Sequence, residues 1–177
     1  MRCARIVGNI LGLLVLVFTI AACKSQEGGL PFKTIAKSEG FGDFGLTTYR
    51  EEEPALLIIA NDDEVDTLVP NVLAEDPALV DQLRQLDYDR FFAILVLQGL
   101  KSTGGFSVTV QRISRQDNQI TVWVQFVEPT PGTRRIAAFT SPYHLVAVSK
   151  QGEWGQQIRF VLIADSEEVA ETSHFIP

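Results

Sequence analysis

Residues 106–126, FSVTVQRISRQDNQITVWVQF, decide the fold of this chain. Apolar side chains alternate with polar ones on both sides of the polar stretch 116–118. The apolar positions are Phe106, Val108 and Val110 before it, and Ile120, Val122, Val124 and Phe126 after it. A period of two is typical of a strand with one buried face, and two such strands around a polar turn indicate a hairpin. We predict a β-hairpin here, with a turn of four or five residues.

Further strands are predicted on both sides of this hairpin. The apolar runs 55–60 and 91–97 are typical of strands buried on both faces. Residues 32–39 form a possible first strand, followed by a loop at 41–45, and an edge strand is possible near Val169. Residues 144–150 and 158–164 predict a second hairpin around Gly152.

Two short helices are predicted between the two apolar runs. Asn61 is a suitable N-cap with Glu64 three residues later, and Pro70 should end the first helix. Asp76 and Pro77 then provide a capping carboxylate and a proline at the first helical position. One apolar face follows at helical spacing, formed by Leu79, Val80, Leu83 and Leu86.

These elements predict a mainly β domain with minor α content, a compact antiparallel β-sandwich or curved sheet with one or two short helices packed on one face. Trp123 lies on the face of its strand opposite to the apolar row. Either a helix or a second sheet covers Trp123, which we favour, or it is an exposed anchor.

The N-terminus has the pattern of a lipoprotein signal peptide over residues 1–22. Arg2 and Arg5 precede an apolar region at 10–20, and Ile20-Ala21-Ala22-Cys23 resembles a bacterial lipobox. Eleven helical residues extend only about 16 Å, roughly half the bilayer hydrocarbon, which disfavours a permanent membrane span. We therefore expect cleavage before Cys23 and acylation of its thiol.

This reading predicts a bacterial cell-envelope protein, lipid-anchored on the extracytoplasmic side of a membrane. Residues 23–30 would be the lipidated cysteine and a flexible tether, and 31–177 a single β domain. The formal charge of −7 becomes −9 once Arg2 and Arg5 are removed with the signal peptide. Such a charge disfavours nucleic acid and electrostatic binding to anionic lipid as partners. Membrane attachment would therefore depend on the acyl chains.

The residues that carry most enzyme chemistry are scarce. Cys3 leaves with the signal peptide and Cys23 is acylated, so the mature domain would have no free thiol or disulfide. His144 and His174 have no zinc-binding spacing, and His144 at a strand start is better explained as structural. The acidic residues of 62–66 suit the first turn of a helix, and Glu51–Glu53 a solvated loop. We expect no enzyme activity, no metal and no cofactor.

Two loop segments are the candidate partner-binding sites. The turn Lys101–Phe106 contains Gly104 and Gly105, and a strand rather than a helix follows it, which disfavours a phosphate-binding loop. This turn and residues 140–143 both begin strands, so they could meet at one end of a sandwich. Phe106 and Tyr143 could then form an aromatic anchor for a partner. Alternatively the glycines only permit the turn and both rings fill the core.

The order of these segments resembles the PrcB C-terminal domain family, small modules of bacterial lipoproteins named after a protease-complex subunit. The resemblance covers residues 91–150, with phenylalanine in place of the commoner tyrosine at the turn. The matching residues are Gly99, Lys101, Thr103, Gly104, Gly105, Phe106, Pro142 and Tyr143.

The resemblance implies an extracytoplasmic binding or assembly module without catalytic residues. Such a module could be an accessory subunit of a surface or periplasmic complex, for example a protease complex, with a protein partner that the sequence does not identify. The alternative is a lipid-anchored protease inhibitor that presents the 101–106 and 140–143 loops.

Overall fold

The computed structural model describes residues 28–38, 44–74, 76–132 and 136–177. The predicted signal peptide, Cys23 and residues 41–43 of the predicted loop lie outside these ranges. Two sheets pack face to face, and short helices cover the outer face of one of them. The predicted fold class, a mainly β sandwich with minor helix, is confirmed. No helix in the described ranges is long and apolar enough to cross a membrane.

The five-stranded sheet has the order β1-β5-β6-β8-β9. Its strands are β1 (Gly28–Gly29), β5 (Ser107–Gln116), β6 (Gln119–Val127), β8 (Gln156–Ala164) and β9 (Glu167–Ile176). The predicted hairpin is confirmed as β5 and β6. Its turn is shorter than predicted because Gln116 already pairs with Gln119, which leaves only Asp117 and Asn118 between the strands.

The four-stranded sheet has the order β2-β7-β4-β3. Its strands are β2 (Phe32–Lys37), β3 (Ala55–Ile59), β4 (Phe91–Leu97) and β7 (Tyr143–Ser149). The two central strands, β4 and β7, are buried along almost their whole length, as the apolar run 91–97 predicts. Alternate residues of β4 face the other sheet and the helices, so both faces are apolar.

The predicted second hairpin is wrong. Residues 144–150 belong to β7 of the four-stranded sheet, whereas 158–164 belong to β8 of the five-stranded sheet. The segment around Gly152 therefore crosses from one sheet to the other. β8 pairs in parallel with β6 and antiparallel with β9, the predicted edge strand, so the antiparallel arrangement has one parallel exception.

The helices are α1 (Asp62–Leu68), a π-helical turn at Val69–Leu73, and α2 (Pro77–Arg84). Both predicted caps are present. The Glu64 amide donates to Asn61 Oδ1 at 3.0 Å, and the Leu79 amide donates to Asp76 Oδ1 at 3.0 Å. Pro70 lies just after the last residue of α1, as expected. Val65, Leu79 and Leu83 pack against β4 and β7 and form the second core layer.

The folded region begins before Pro31. The sequence assigns residues 28–30 to the flexible tether, whereas Gly28 pairs with Arg115 and Gly29 with Ser114. Leu30 is buried, and its amide donates to the carbonyl oxygen of Ile113 at 2.9 Å. An apolar side chain in a polar segment is enough to fix the chain when it reaches the gap between two sheets.

Trp123 is covered neither by a helix nor by a second sheet. It lies on the outer face of the five-stranded sheet, because the helices pack on the other sheet. The guanidinium of Arg112, its neighbour on β5, lies 3.6 Å from the centre of the ring and half-covers it. A cation over an aromatic face is a favourable contact, so local stacking replaces the covering layer that we favoured.

Candidate functional site

Three segments meet where β4 ends and β7 begins. Because β4 and β7 are antiparallel, Leu97 lies opposite Tyr143, and the segments that follow one and precede the other share an end of the sandwich. Segment 44–46 and the end of β6 join them there. We call this region, residues 44–46, 99–107, 127–132 and 136–142, the loop end. It contains both of the predicted site segments.

Backbone hydrogen bonds hold the two predicted segments together. The Lys101 amide donates to the Thr140 carbonyl at 2.8 Å, and the Thr140 amide donates back to the Lys101 carbonyl at 2.9 Å. The Thr140 hydroxyl donates to the carbonyl of Thr103 at 3.0 Å. The Gly104 amide donates to the Ile136 carbonyl at 3.1 Å. The expectation that the two segments meet therefore agrees with the geometry.

Two glycines of the motif are required by close approach. Gly99 has φ +87°, and a Cβ there would lie 2.0 Å from the carbonyl oxygen of Glu52. Gly105 has φ +95°, and a Cβ would lie 2.9 Å from Pro129 Cβ. A side chain at either position would thus meet both an unfavourable backbone conformation and a neighbour. The glycines of this motif have a structural role.

The aromatic residues named from the sequence are not the exposed ones. Pro142 and Tyr143 are buried, and Tyr143 packs in the core layer beneath the helices. Phe106 is half-buried, with Lys101 Nζ 5.8 Å from the centre of its ring. Tyr143 therefore does not form the aromatic anchor that we considered, and its ring fills the core instead.

Other large apolar side chains are exposed at the loop end, and the sequence reasoning missed them. Phe139 is 59% exposed, Phe44 45% and Val127 41%. Phe139 directly precedes Thr140, and the carbonyl of Phe44 accepts from the Ser141 amide at 2.9 Å, so both residues adjoin the motif. A signal was available: Phe139 stands in a loop, outside every alternating strand pattern.

Polar groups are buried directly beneath this apolar rim. Gln98 is 3% exposed and Ser141 0%, yet Gln98 Oε1 and Ser141 Oγ have no hydrogen-bond partner within the described ranges. Buried polar atoms without a partner are uncommon and destabilise the fold. The acidic run Glu51–Glu53 is exposed beside them, as expected of a solvated loop. Burial and the charges of Glu51 and Glu53 raise the pKa of Tyr49.

His144 is buried between the two sheets and has no access to a substrate. The Val110 amide donates to Nδ1 at 2.8 Å, so Nε2 carries the hydrogen of the neutral ring and donates to Thr34 Oγ1 at 2.8 Å. Burial, followed by the charge of Lys37, lowers the pKa of His144 to about 4. Both ring nitrogens make structural hydrogen bonds, in agreement with the structural role that we predicted.

His174 and the acidic residues of α1 also make structural contacts. His174 Nε2 lies 3.0 Å from Glu64 Oε1, which joins β9 to the start of α1. Glu64 Oε2 accepts from the Ala60 amide at 2.7 Å. Over the described residues, no group of three or more histidine, cysteine or acidic side chains could hold a metal ion.

The comparison with protein families identifies one segment. Residues 92–149 match the family described as "PrcB C-terminal". The match starts in β4 and ends with β7, so it includes the hairpin and most of the loop end. The resemblance inferred from the sequence over residues 91–150 is thereby confirmed. No curated protein and no solved structure matches the chain.

Proposed function

We propose that this protein is a lipid-anchored binding or assembly module that captures a protein partner outside the cytoplasm through the loop end. The observation that carries the proposal is the exposure of Phe44, Val127 and Phe139 together at that end. Exposed apolar groups clustered in one place are typical of interaction sites, and aromatic residues are enriched at interface hot spots. Val127 and Phe139 lie in the segment that matches the family.

The family name suggests the class of partner. A module of this family could serve as an accessory subunit of a surface or periplasmic complex, such as a protease complex. The domain contributes no catalytic residue in this proposal, since both histidines are engaged in contacts within the fold. It supplies a rigid sandwich that positions exposed loops.

The protease-inhibitor alternative is less well supported. An inhibitory loop must enter the active site of the protease, and therefore needs exposed side chains. Residues 140–143 are buried, and Thr140 is fixed by bonds to Lys101 and Thr103. Only the neighbouring residues of this loop, such as Phe139, are available to a partner. A flat apolar contact fits these observations better than an inserted loop.

The contact surface can be tested by crosslinking in intact cells. Phe139→Ser should remove most of the crosslinked partner because it removes an exposed aromatic ring at the loop end. Phe175→Ser is the matched control, since Phe175 is similarly exposed, at 51%, on the other side of the molecule. Exposed substitutions change stability by about 0.5 kcal/mol or less. Equal crosslinking by both variants would show that the partner binds elsewhere.

The lipid anchor is tested separately. Cys23→Ala should abolish incorporation of labelled fatty acid and leave the precursor uncleaved, because the thiol is the acceptor of the lipid. Ser25→Ala, two residues beyond, is the control and should be processed normally. A wild-type protein released into the medium without lipid would rule out the anchor while leaving the binding surface open to test.

A further inference from the structure

The chain enters the domain at the end opposite to the loop end. β1 is antiparallel to β5, and Gly28 lies beside Arg115, near the turn Asp117–Asn118. β5 begins at the loop end with Ser107 and runs away from it. Eight steps along a strand, from Ser107 to Arg115, correspond to about 27 Å. The point where the tether joins the fold and the exposed aromatic residues are thus separated by the length of the sandwich.

The tether is too short to reverse this arrangement. Five residues separate Cys23 from Gly28, and a fully extended chain covers at most about 3.6 Å per residue, or about 18 Å in all. A lipid on Cys23 therefore holds Gly28 within about 18 Å of the bilayer surface. The loop end cannot be turned down onto the bilayer while Gly28 is raised by the full length of β5.

We infer that the domain stands on its tether end and points the loop end away from the membrane, toward an extramembrane protein with an apolar contact surface. This inference rests on the proposed acylation of Cys23. It assigns the exposed rings of Phe44 and Phe139 to a protein and not to lipid, although exposed aromatic loops could serve either purpose. The partner contact would lie about 27 Å or more above the tether end.

The alternative orientation has the domain lying on its side. That orientation brings a sheet or helix face of a chain with formal charge −9 after processing against the anionic surface of a membrane, which repels it. Over the described residues, Phe175 is the one large hydrophobic side chain exposed outside the loop end, and it lies on the outer sheet face near the tether end. One ring offers far less apolar area than a face needs to hold the domain flat.

The orientation can be measured by energy transfer to the bilayer. Ser102, at the loop end, or Gln151, beside the tether end, is replaced by an azide-bearing residue that accepts a dye; both positions are exposed. The lipidated protein is reconstituted into vesicles whose headgroups carry an acceptor. We expect transfer from position 151 to be several-fold more efficient than transfer from position 102.

Two outcomes would overturn the inference. Equal transfer from both positions would show that the domain lies flat, and stronger transfer from position 102 would show that the loop end inserts into lipid. A flexible insertion of twelve residues after Ser25 is the control, and it should reduce the difference between the two positions.

The result does not depend on natural acylation. If cells do not acylate Cys23, the proposed anchor fails, yet the same two labelled proteins can be coupled at Cys23 to a maleimide phospholipid and measured. The orientation then stands or falls on the chain length and on the position of β1 alone. Partner capture with Phe139→Ser reports separately on the binding surface.

Discussion

His144 shows how one side chain can tie the two sheets together. It belongs to β7, yet its Nδ1 accepts the amide hydrogen of Val110 in β5. That amide is free for this bond at the point where the β5–β6 register shifts, between Val110 and Arg112. An extra residue in one strand of a pair redirects the neighbouring backbone groups. The sequence predicted a structural histidine, but the bulge that gives it a partner has no signature in the alternation.

The lowered pKa of His144 predicts an acid-sensitive fold. An unfolded histidine titrates near 6.5, whereas burial holds the folded pKa at about 4. Between these values the unfolded chain binds a proton that the folded chain does not. The free energy of unfolding should therefore fall as the pH drops from 6.5 to 4, by up to about 3 kcal/mol from this residue.

Urea unfolding at several pH values measures this effect, and His144→Ala provides the comparison. The variant should be less stable at neutral pH and should lose part of the pH slope, while partner capture per folded molecule stays the same. Identical slopes for the two proteins would show that His144 does not titrate differently in the folded state.

Two adjacent hydroxyls at the loop end should respond oppositely to removal. Thr140 Oγ1 donates to the Thr103 carbonyl, so Thr140→Ala should lower the free energy of unfolding by about 1 kcal/mol. Ser141 Oγ is fully buried without a partner, so Ser141→Ala should be neutral or slightly stabilising. Thermal unfolding of both variants measures the difference. A comparable loss in Ser141→Ala would indicate an additional bond at that hydroxyl in solution.

At the scale of single elements, the local sequence pattern was informative. The alternation in 106–126, the apolar run 91–97 and the caps at Asn61 and Asp76 each correspond to an element of the fold. They succeed because the cause of each is local: a period set by the backbone, or a side chain within three residues of the amide it satisfies. Exposure at the loop end is not local, which is why Phe139 was missed and Tyr143 was wrongly considered.

The glycines of the loop end allow a prediction at the element scale. Gly99→Ala should be strongly destabilising, because the new Cβ would overlap the Glu52 carbonyl and the residue must keep φ +87°. Gly152 is the matched control, with φ +82° and no atom within 4 Å of the added Cβ. Gly152→Ala should therefore cost only the conformational term, about 1 kcal/mol. Chemical denaturation compares them; equal losses would mean that segment 51–53 moves aside without cost.

At the scale of the whole molecule, strand partners were harder to predict than strands. β7 and β8 follow one another with Gly152 between them, which is the local signal of a hairpin. The structure separates them because β7 is apolar on both faces and suits the centre of a sheet that helices cover. β8 instead alternates along much of its length and suits a sheet with one solvated face. Burial by the complete fold decides between these arrangements, and no short window of sequence contains it.

The start of the domain is a whole-molecule property for the same reason, and it gives the last prediction. A chain beginning at Gln26 retains β1 and Leu30, whereas one beginning at Pro31 lacks both. The shorter chain should be less stable by about 2 kcal/mol, since burial of one leucine side chain contributes about that much. It should also associate more readily, because loss of β1 exposes the edge of β5.

Urea unfolding and light scattering of the two chains test these effects. Leu30→Ala in the longer chain separates the contribution of the side chain from that of the strand: it should reproduce most of the loss in stability but not the association. Equal stability and equal association of the two chains would instead mean that the pairing of Gly28 and Gly29 with β5 contributes nothing. The tether would then extend to Pro31 and reach about 11 Å further than the orientation inferred above allows.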